Sequence, residues 1–176
     1  MSIYFGADST VQHSAGVGAS SAGKILQVIQ TFKNDTASTS GNNHSAISGL
    51  NVTITPSATS SKILYTGSLY LAGSGAEAVF RLTRSIGGNV VNISGGDTFV
   101  DDEDGSFCIG GSSLYRSASF EFLDSPNTTS AITYGVSVRN PSGSARTIYM
   151  NRANTDTDNQ YHYRTASTIT VMEIKV

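Results

Sequence analysis

The residues from Asn154 to Asp158 read Asn-Thr-Asp-Thr-Asp, which sets three oxygen-bearing side chains, Asn154, Asp156 and Asp158, at alternate positions. A calcium loop uses that spacing because a hard cation is wrapped by oxygen ligands drawn from one tight segment. Such a loop also needs Gly at its sixth position and a bidentate Glu at its twelfth. Here those positions hold Asn159 and Thr165. The segment reads first as a polar loop, and second as a calcium or magnesium site on an axis between copies.

Four acids, Asp101, Asp102, Glu103 and Asp104, precede Gly105. Like charges this close repel unless they are solvated or faced by a cation. A solvated loop is the plain reading; an ion site or a contact with a basic neighbour is the functional one. Gly18 to Lys24 fits G-x-x-x-x-G-K, but a phosphate loop continues with Ser or Thr into a helix, and here Ile25 follows and opens a strand. That stretch is a linker. His13, His44, His162 and Cys108 are not at zinc-ligand spacing. Tyr115, Tyr149, Tyr161 and Tyr163, with Arg116, Arg146, Arg152 and Arg164, are residue types favoured at interfaces, which also stack on sugars; their plain reading is ordinary strand residues. Tyr161, Tyr163, Arg164 and the four acids are the candidate contacts to a partner or receptor.

The elements that position these residues are strands. Apolar groups at i, i+3, i+4 and i+7 are nearly absent, whereas period-two alternation recurs. It predicts strands over 24–32, 50–54, 62–71, 79–86, 90–93, 117–123, 132–138, 146–150 and 167–174. Pro56 ends the second, because proline has no ladder donor. Eight to ten strands in about 150 residues is the pattern of an antiparallel β-sandwich, and an eight-stranded jelly roll fits the count best. Strand order is not readable from the pattern.

Two segments are expected. Residues 1–22 form an extended N-terminal arm, with Ile3, Tyr4 and Phe5 as its attachment residues and small residues leading to Gly23. Residues 23–176 form the β domain. Charged residues are 14% of the 176, against roughly 25% in ordinary soluble domains. A surface of Ser, Thr, Asn and Gly suits a protein that works inside an assembly. The net charge of −2 and the lack of a basic patch argue against nucleic-acid binding. No apolar run approaches the ~20 residues of a membrane span. No signal peptide opens the chain, so it is expected to remain where it is made.

Four blocks in order then carry a family resemblance: Gly23-Lys24-Ile25-Leu26-Gln27-Val28-Ile29-Gln30, Gly49 to Leu64 with its Thr55-Pro56-Ser57-Ala58-Thr59-Ser60-Ser61-Lys62-Ile63-Leu64, Phe122 to Tyr134, and Ala166 to Ile174. They resemble a module of virion and tail-fibre-like structural proteins of marine and cyanobacterial phages. The resemblance implies a particle component, assembled in the host bacterial cytoplasm, with a fibre-type β-sandwich and no catalytic residues or resident cofactor. It also implies a homotrimer with tail, capsid or portal-associated proteins as partners. Residues 95–112 fall outside the blocks and are read as a variable surface segment.

Three functions follow as expectations. The first is a non-enzymatic, fibre-like protein, held by its arm and able to meet a host surface glycan. The second is a capsid decoration or cement protein. The third is a tailspike-type polysaccharide hydrolase, which needs two carboxylates roughly 5–10 Å apart.

Overall fold

The computed structural model describes residues 3–5, 11–13, 22–73, 77–93, 105–109, 116–141 and 146–176. Among the described residues every regular element is a strand. In chain order these are β1 (Ile3–Phe5), β2 (Val11–His13), β3 (Ile25–Lys33), β4 (Ala37–Ser40), β5 (Ser45–Ile54), β6 (Lys62–Gly73) and β7 (Ala78–Ile86). They continue with β8 (Asn89–Asn92), β9 (Phe107–Ile109), β10 (Arg116–Asp124), β11 (Ile132–Arg139), β12 (Thr147–Met150) and β13 (Ser167–Ile174).

Two antiparallel sheets build the sandwich. In the first, β10 runs along one edge of β6, while β13 and then β12 share the other edge. β3 lies outside β13 and β4 outside β12. In the second, the order is β5, β11, β7, with β8 and β9 dividing the far edge of β7. The pairing is nested: β3 meets β13, β5 meets β11, β6 meets β10, and β7 meets β8. The first half of the chain thus folds back on the second half in reverse order, crossing between sheets as it goes. That is the jelly-roll topology, and it agrees with the fold class expected from strand count.

Local chemistry sets the corners. Gly87 and Gly88 both take positive φ, 59° and 86°, between Ile86 and its partner Asn89. A two-residue turn of that hand matches the twist of the flanking strands. At the other end of the second sheet, Gln27 donates to the Thr55 carbonyl at 2.8 Å and Thr31 to the Asn51 carbonyl at 2.7 Å. Side chains of β3 thereby satisfy open-edge carbonyls in and beside β5, and the sandwich is closed along that side.

The inner faces make one core, with Tyr65, Tyr134, Phe80, Leu50, Ile54 and Leu69 among its fully buried side chains. A chain of rings crosses it. Phe80 stacks on Phe107 at 4.7 Å, Phe107 on Phe120 at 5.8 Å, and Phe120 meets Tyr65 edge-on at 5.0 Å. Phe120 lies over Gly67, its cross-strand partner, and a methyl on Gly67 would run into the ring.

Four features were not legible in advance. β4 is Ala-Ser-Thr-Ser and has no apolar alternation; β12 holds it in register. β5 begins five residues before Leu50, across a bulge opposite Gly135–Ser137. β9 falls in the segment read as variable surface, yet its Phe107 is a core ring. The arm also carries structure of its own, since β1 and β2 form a two-stranded antiparallel ladder that joins neither sheet of the sandwich.

Candidate functional site

Three buried polar centres tie the sandwich together. Glu173 lies on β13 among apolar neighbours and is 1% exposed. Its Oε1 accepts the Ser57 backbone N–H at 2.7 Å and the hydroxyls of Ser57 and Ser61 at 2.6 and 2.7 Å. Its Oε2 accepts the Gln27 amide at 2.6 Å. Burial alone would raise this carboxyl, but the hydrogen bonds from Ser57, Gln27 and Ser61 outweigh it and hold the group down to about 2. Pro56 stops β5 and turns the chain so that Ser57 and Ser61 face Glu173 across the sandwich end.

The second centre joins the two sheets. Arg84, in β7, reaches over to Asp124, at the end of β10, and one guanidinium nitrogen donates to both carboxylate oxygens at 2.8 Å. The Tyr134 hydroxyl, from β11, donates to the same carboxylate at 2.7 Å. Burial, and then that bond to a carboxylate, push the Tyr134 phenol well above its ordinary range. The third centre is Asn151, wholly buried at a φ of 58°. Its amide donates to the carbonyls of Lys33 and Asp35 at 2.9 and 3.0 Å, and its oxygen accepts from Ser167 at 2.7 Å. Asparagine tolerates the left-handed region better than other non-glycine residues.

These centres collect the residues of the four sequence blocks. Gln27 comes from the first block, Ser57 and Ser61 from the second, Asp124 and Tyr134 from the third, and Glu173 from the fourth. The blocks are distant in sequence and meet at two carboxylates. Sequence offered one signal for both. Glu173 and Asp124 sit on the apolar phase of their strands, as Arg84 does on its own.

The loop between β12 and β13 holds the other candidates. Arg164 binds Asp156 through two nitrogens, at 2.9 and 3.3 Å, and Arg152 approaches the same carboxylate at 4.0 Å. The Arg152 guanidinium lies 4.0 Å over the Tyr149 ring. Thr157, Asn159 and His162 bond to one another, and the Tyr161 N–H is received by the Asn159 side chain. A cleft of about 440 Å³ opens here, lined by Asp156, Thr157, Asp158, His162 and Arg164. Of the three residues spaced like calcium ligands, Asp156 is therefore engaged by guanidinium groups. Among the described residues no three His, Cys, Asp or Glu side chains gather as a metal would need. Tyr161 and Tyr163 are 70% and 62% exposed, on the same loop as Arg164.

The remaining candidates are placed as follows. Asp101, Asp102, Glu103 and Asp104 lie outside the described residues. Ile3, Tyr4 and Phe5 form the backbone of β1. A separate apolar cavity of about 250 Å³ lies between the sheets, lined by Ile47, Leu71, Val138, Ile148 and Met150 together with small residues of β4 and β5.

No family profile matches the chain, and no curated protein does. Among solved structures it is weakly similar to that of the infectious bursal disease virus Gx strain, at 12% identity and a TM-score of 0.41, over 84% of this chain and 42% of that one. It is similar to the VP2 subviral particle of the same virus, at 10% identity and a TM-score of 0.42, over 87% and 42%. It is also similar to TmCBM61 in complex with beta-1,4-galactotriose, at 12% identity and a TM-score of 0.31, over 78% and 70%. The chain spans less than half the length of the viral chains it matches. At these identities the likeness is one of fold.

Proposed function

We propose that this chain is a non-enzymatic structural component of a phage particle, a jelly-roll domain that associates with its own copies and is attached through residues 1–22. One observation carries the reading. The sequence blocks that resemble phage virion proteins supply Gln27, Ser57, Ser61, Asp124, Tyr134 and Glu173, and these side chains lock the scaffold. The module is thus read as a scaffold whose blocks supply the buried contacts between strands. Both buried carboxylates are occupied by internal donors, which is the use a scaffold makes of them.

Within that reading, the chain is a fibre-like protein in which Tyr161, Tyr163 and Arg164 offer rings and a guanidinium to a host glycan. Capsid decoration is the second reading. The exposed apolar residues on the outer side of β3 favour it, because such a face suits a protein covered on more than one side. Three copies is the number that the resemblance implies.

The test is a cryo-electron reconstruction of the particle whose genome encodes this chain. Density at the tail or one vertex supports the fibre reading, and density repeated over the capsid lattice supports decoration. A fully assembled particle lacking the chain overturns both.

A further inference from the structure

The two outer faces of the sandwich differ in chemistry. The outer face of the second sheet carries Asn51, Thr53, Thr83, Ser85, Thr133 and Ser137. The outer face of the first sheet carries an apolar row that crosses four strands in direct register: Val28 opposite Met172, Met172 opposite Leu64, and Leu64 opposite Leu123. Val28 is 56% exposed and Leu123 47%. At the β3 end the register skips Leu26, pairing Ile25 with Ile174, and both Ile25 and Leu26 are exposed. The bulge widens the row instead of ending it.

Charges flank this row on opposite sides. On β6, Lys62 stands two residues to one side of Leu64. Glu121 stands two residues to the other side of Leu123, opposite Thr66. Four residues of strand separate the Lys62 and Thr66 rows, about 13 Å at ~3.3 Å per residue, too far for an ion pair within one copy. Laying a second copy on this face, with its row on the first and its strands reversed, puts Lys62 of each over the Glu121 row of the other. Such a contact is self-complementary, since each residue of the pair meets its counterpart twice. Area agrees. Four strands at ~4.8 Å and nine residues at ~3.3 Å give a plan area on the order of 600 Å², before side-chain relief, against about 800 Å² per partner in a standard interface.

We propose that the outer face of the first sheet is the surface through which copies of this chain associate, apolar row on apolar row, with Lys62 of one copy beside Glu121 of the next. Sheets pack face to face at ~10 Å, so the contact extends the two-layer sandwich to four layers. The proposal deepens the self-association in the reading above and rests on it; being isologous, this contact closes at two copies, in place of the three that the resemblance implies.

The test is the mass of the purified full chain by light scattering at micromolar concentration, with circular dichroism confirming the fold. Expected are a wild-type mass of at least twice 18.4 kDa and a single-copy mass for folded Val28→Asp and Leu123→Asp. Thr133→Asp, on the other outer face, keeps the wild-type mass. Lys62→Glu and Glu121→Lys each weaken association at least tenfold, and the double exchange restores it. An oligomer that ignores Val28→Asp and Leu123→Asp overturns this surface and leaves self-association standing. A wild-type protein that stays a single copy overturns both.

Discussion

Glu173 and Asp124 stand in one cross-strand row on the inner face of the first sheet, with Ile63 between them. Their backbones are two strand spacings apart, roughly 10 Å. The two carboxylates are solvated by the protein in different ways. Asp124 is met by a guanidinium and a phenol, whereas Glu173 is met by hydroxyls, an amide and a backbone N–H. Removing either therefore tests a different kind of bond.

Glu173→Gln puts an NH2 group among four donors that need an acceptor. Urea unfolding at pH 7 is expected to show a loss of about 2–4 kcal/mol. The acid dependence has a definite sign. The folded carboxyl is held near 2, below its ordinary 4.5, so its stabilisation is present above pH 4.5 and lost as the pH falls toward 2. The drop corresponds to roughly 3 kcal/mol in the wild type. The gap between wild type and variant should close over that window, and a gap that stays constant to pH 2 would contradict the assigned role.

Arg84→Leu leaves the Asp124 carboxylate buried without its cation and should cost about 3–5 kcal/mol. Replacing both residues by Leu should cost clearly less than the sum of the single changes. A double-mutant cycle with no coupling energy would mean that the short Arg84–Asp124 contacts carry no net stabilisation.

Tyr65 and Tyr134 are packed 5.2 Å apart in the core, yet of the two hydroxyls only that of Tyr134 has a hydrogen-bond partner among the described residues. Tyr134→Phe should lower stability by about 1.5–3 kcal/mol, because a bond to a charged acceptor is lost. Tyr65→Phe should be neutral within ~0.5 kcal/mol, or stabilising. Equal losses in the two thermal unfolding curves would refute this distinction.

Gly67→Ala forces the Phe120 ring off its strand partner and should destabilise the chain by about 1–3 kcal/mol. Phe120→Leu in the same background should recover part of that loss. If Gly67→Ala unfolds at the wild-type temperature, the ring is not seated as described.

Arg164→Ala removes an exposed ion pair with Asp156, and exposed pairs are worth about 0–1 kcal/mol. Stability should hardly change. A glycan array probed with wild type and this variant then reads recognition alone. Binding that survives unchanged in both Arg164→Ala and Tyr161→Ala would remove this loop from the receptor reading.

How far the sequence foretold this molecule depends on the residue. Alternation placed Leu50, Val52 and Ile54, or Ile132, Tyr134 and Val136, on the correct face, because burial on one side imposes a period of two. It was silent on β4, whose Ser and Thr lie at an edge where neighbours supply the apolar cover. It was silent on strand order, because the pairing of Ile29 with Val171 joins residues more than a hundred positions apart and leaves no local trace. The buried centres were half legible. A carboxylate on the apolar phase of a strand marks Glu173 as unusual, but nothing near it names Gln27 or Ser57. Phe107 was hidden, since a short β-rich run among glycines and acids looks like loop.

The sandwich's final strand, β13, is also one of its interior strands, seated between β3 and β6. During synthesis, therefore, β3 and β6 wait with open edges facing the gap until residues 167–174 leave the ribosome. The first sheet cannot close as a native nucleus before then, and contacts of such long sequence span make closure slow. Shortening the chain by this one strand would remove the middle of a sheet instead of trimming its rim. Products that lack β13 are expected to leave the first sheet open, with β3 and β6 parted by an empty strand position.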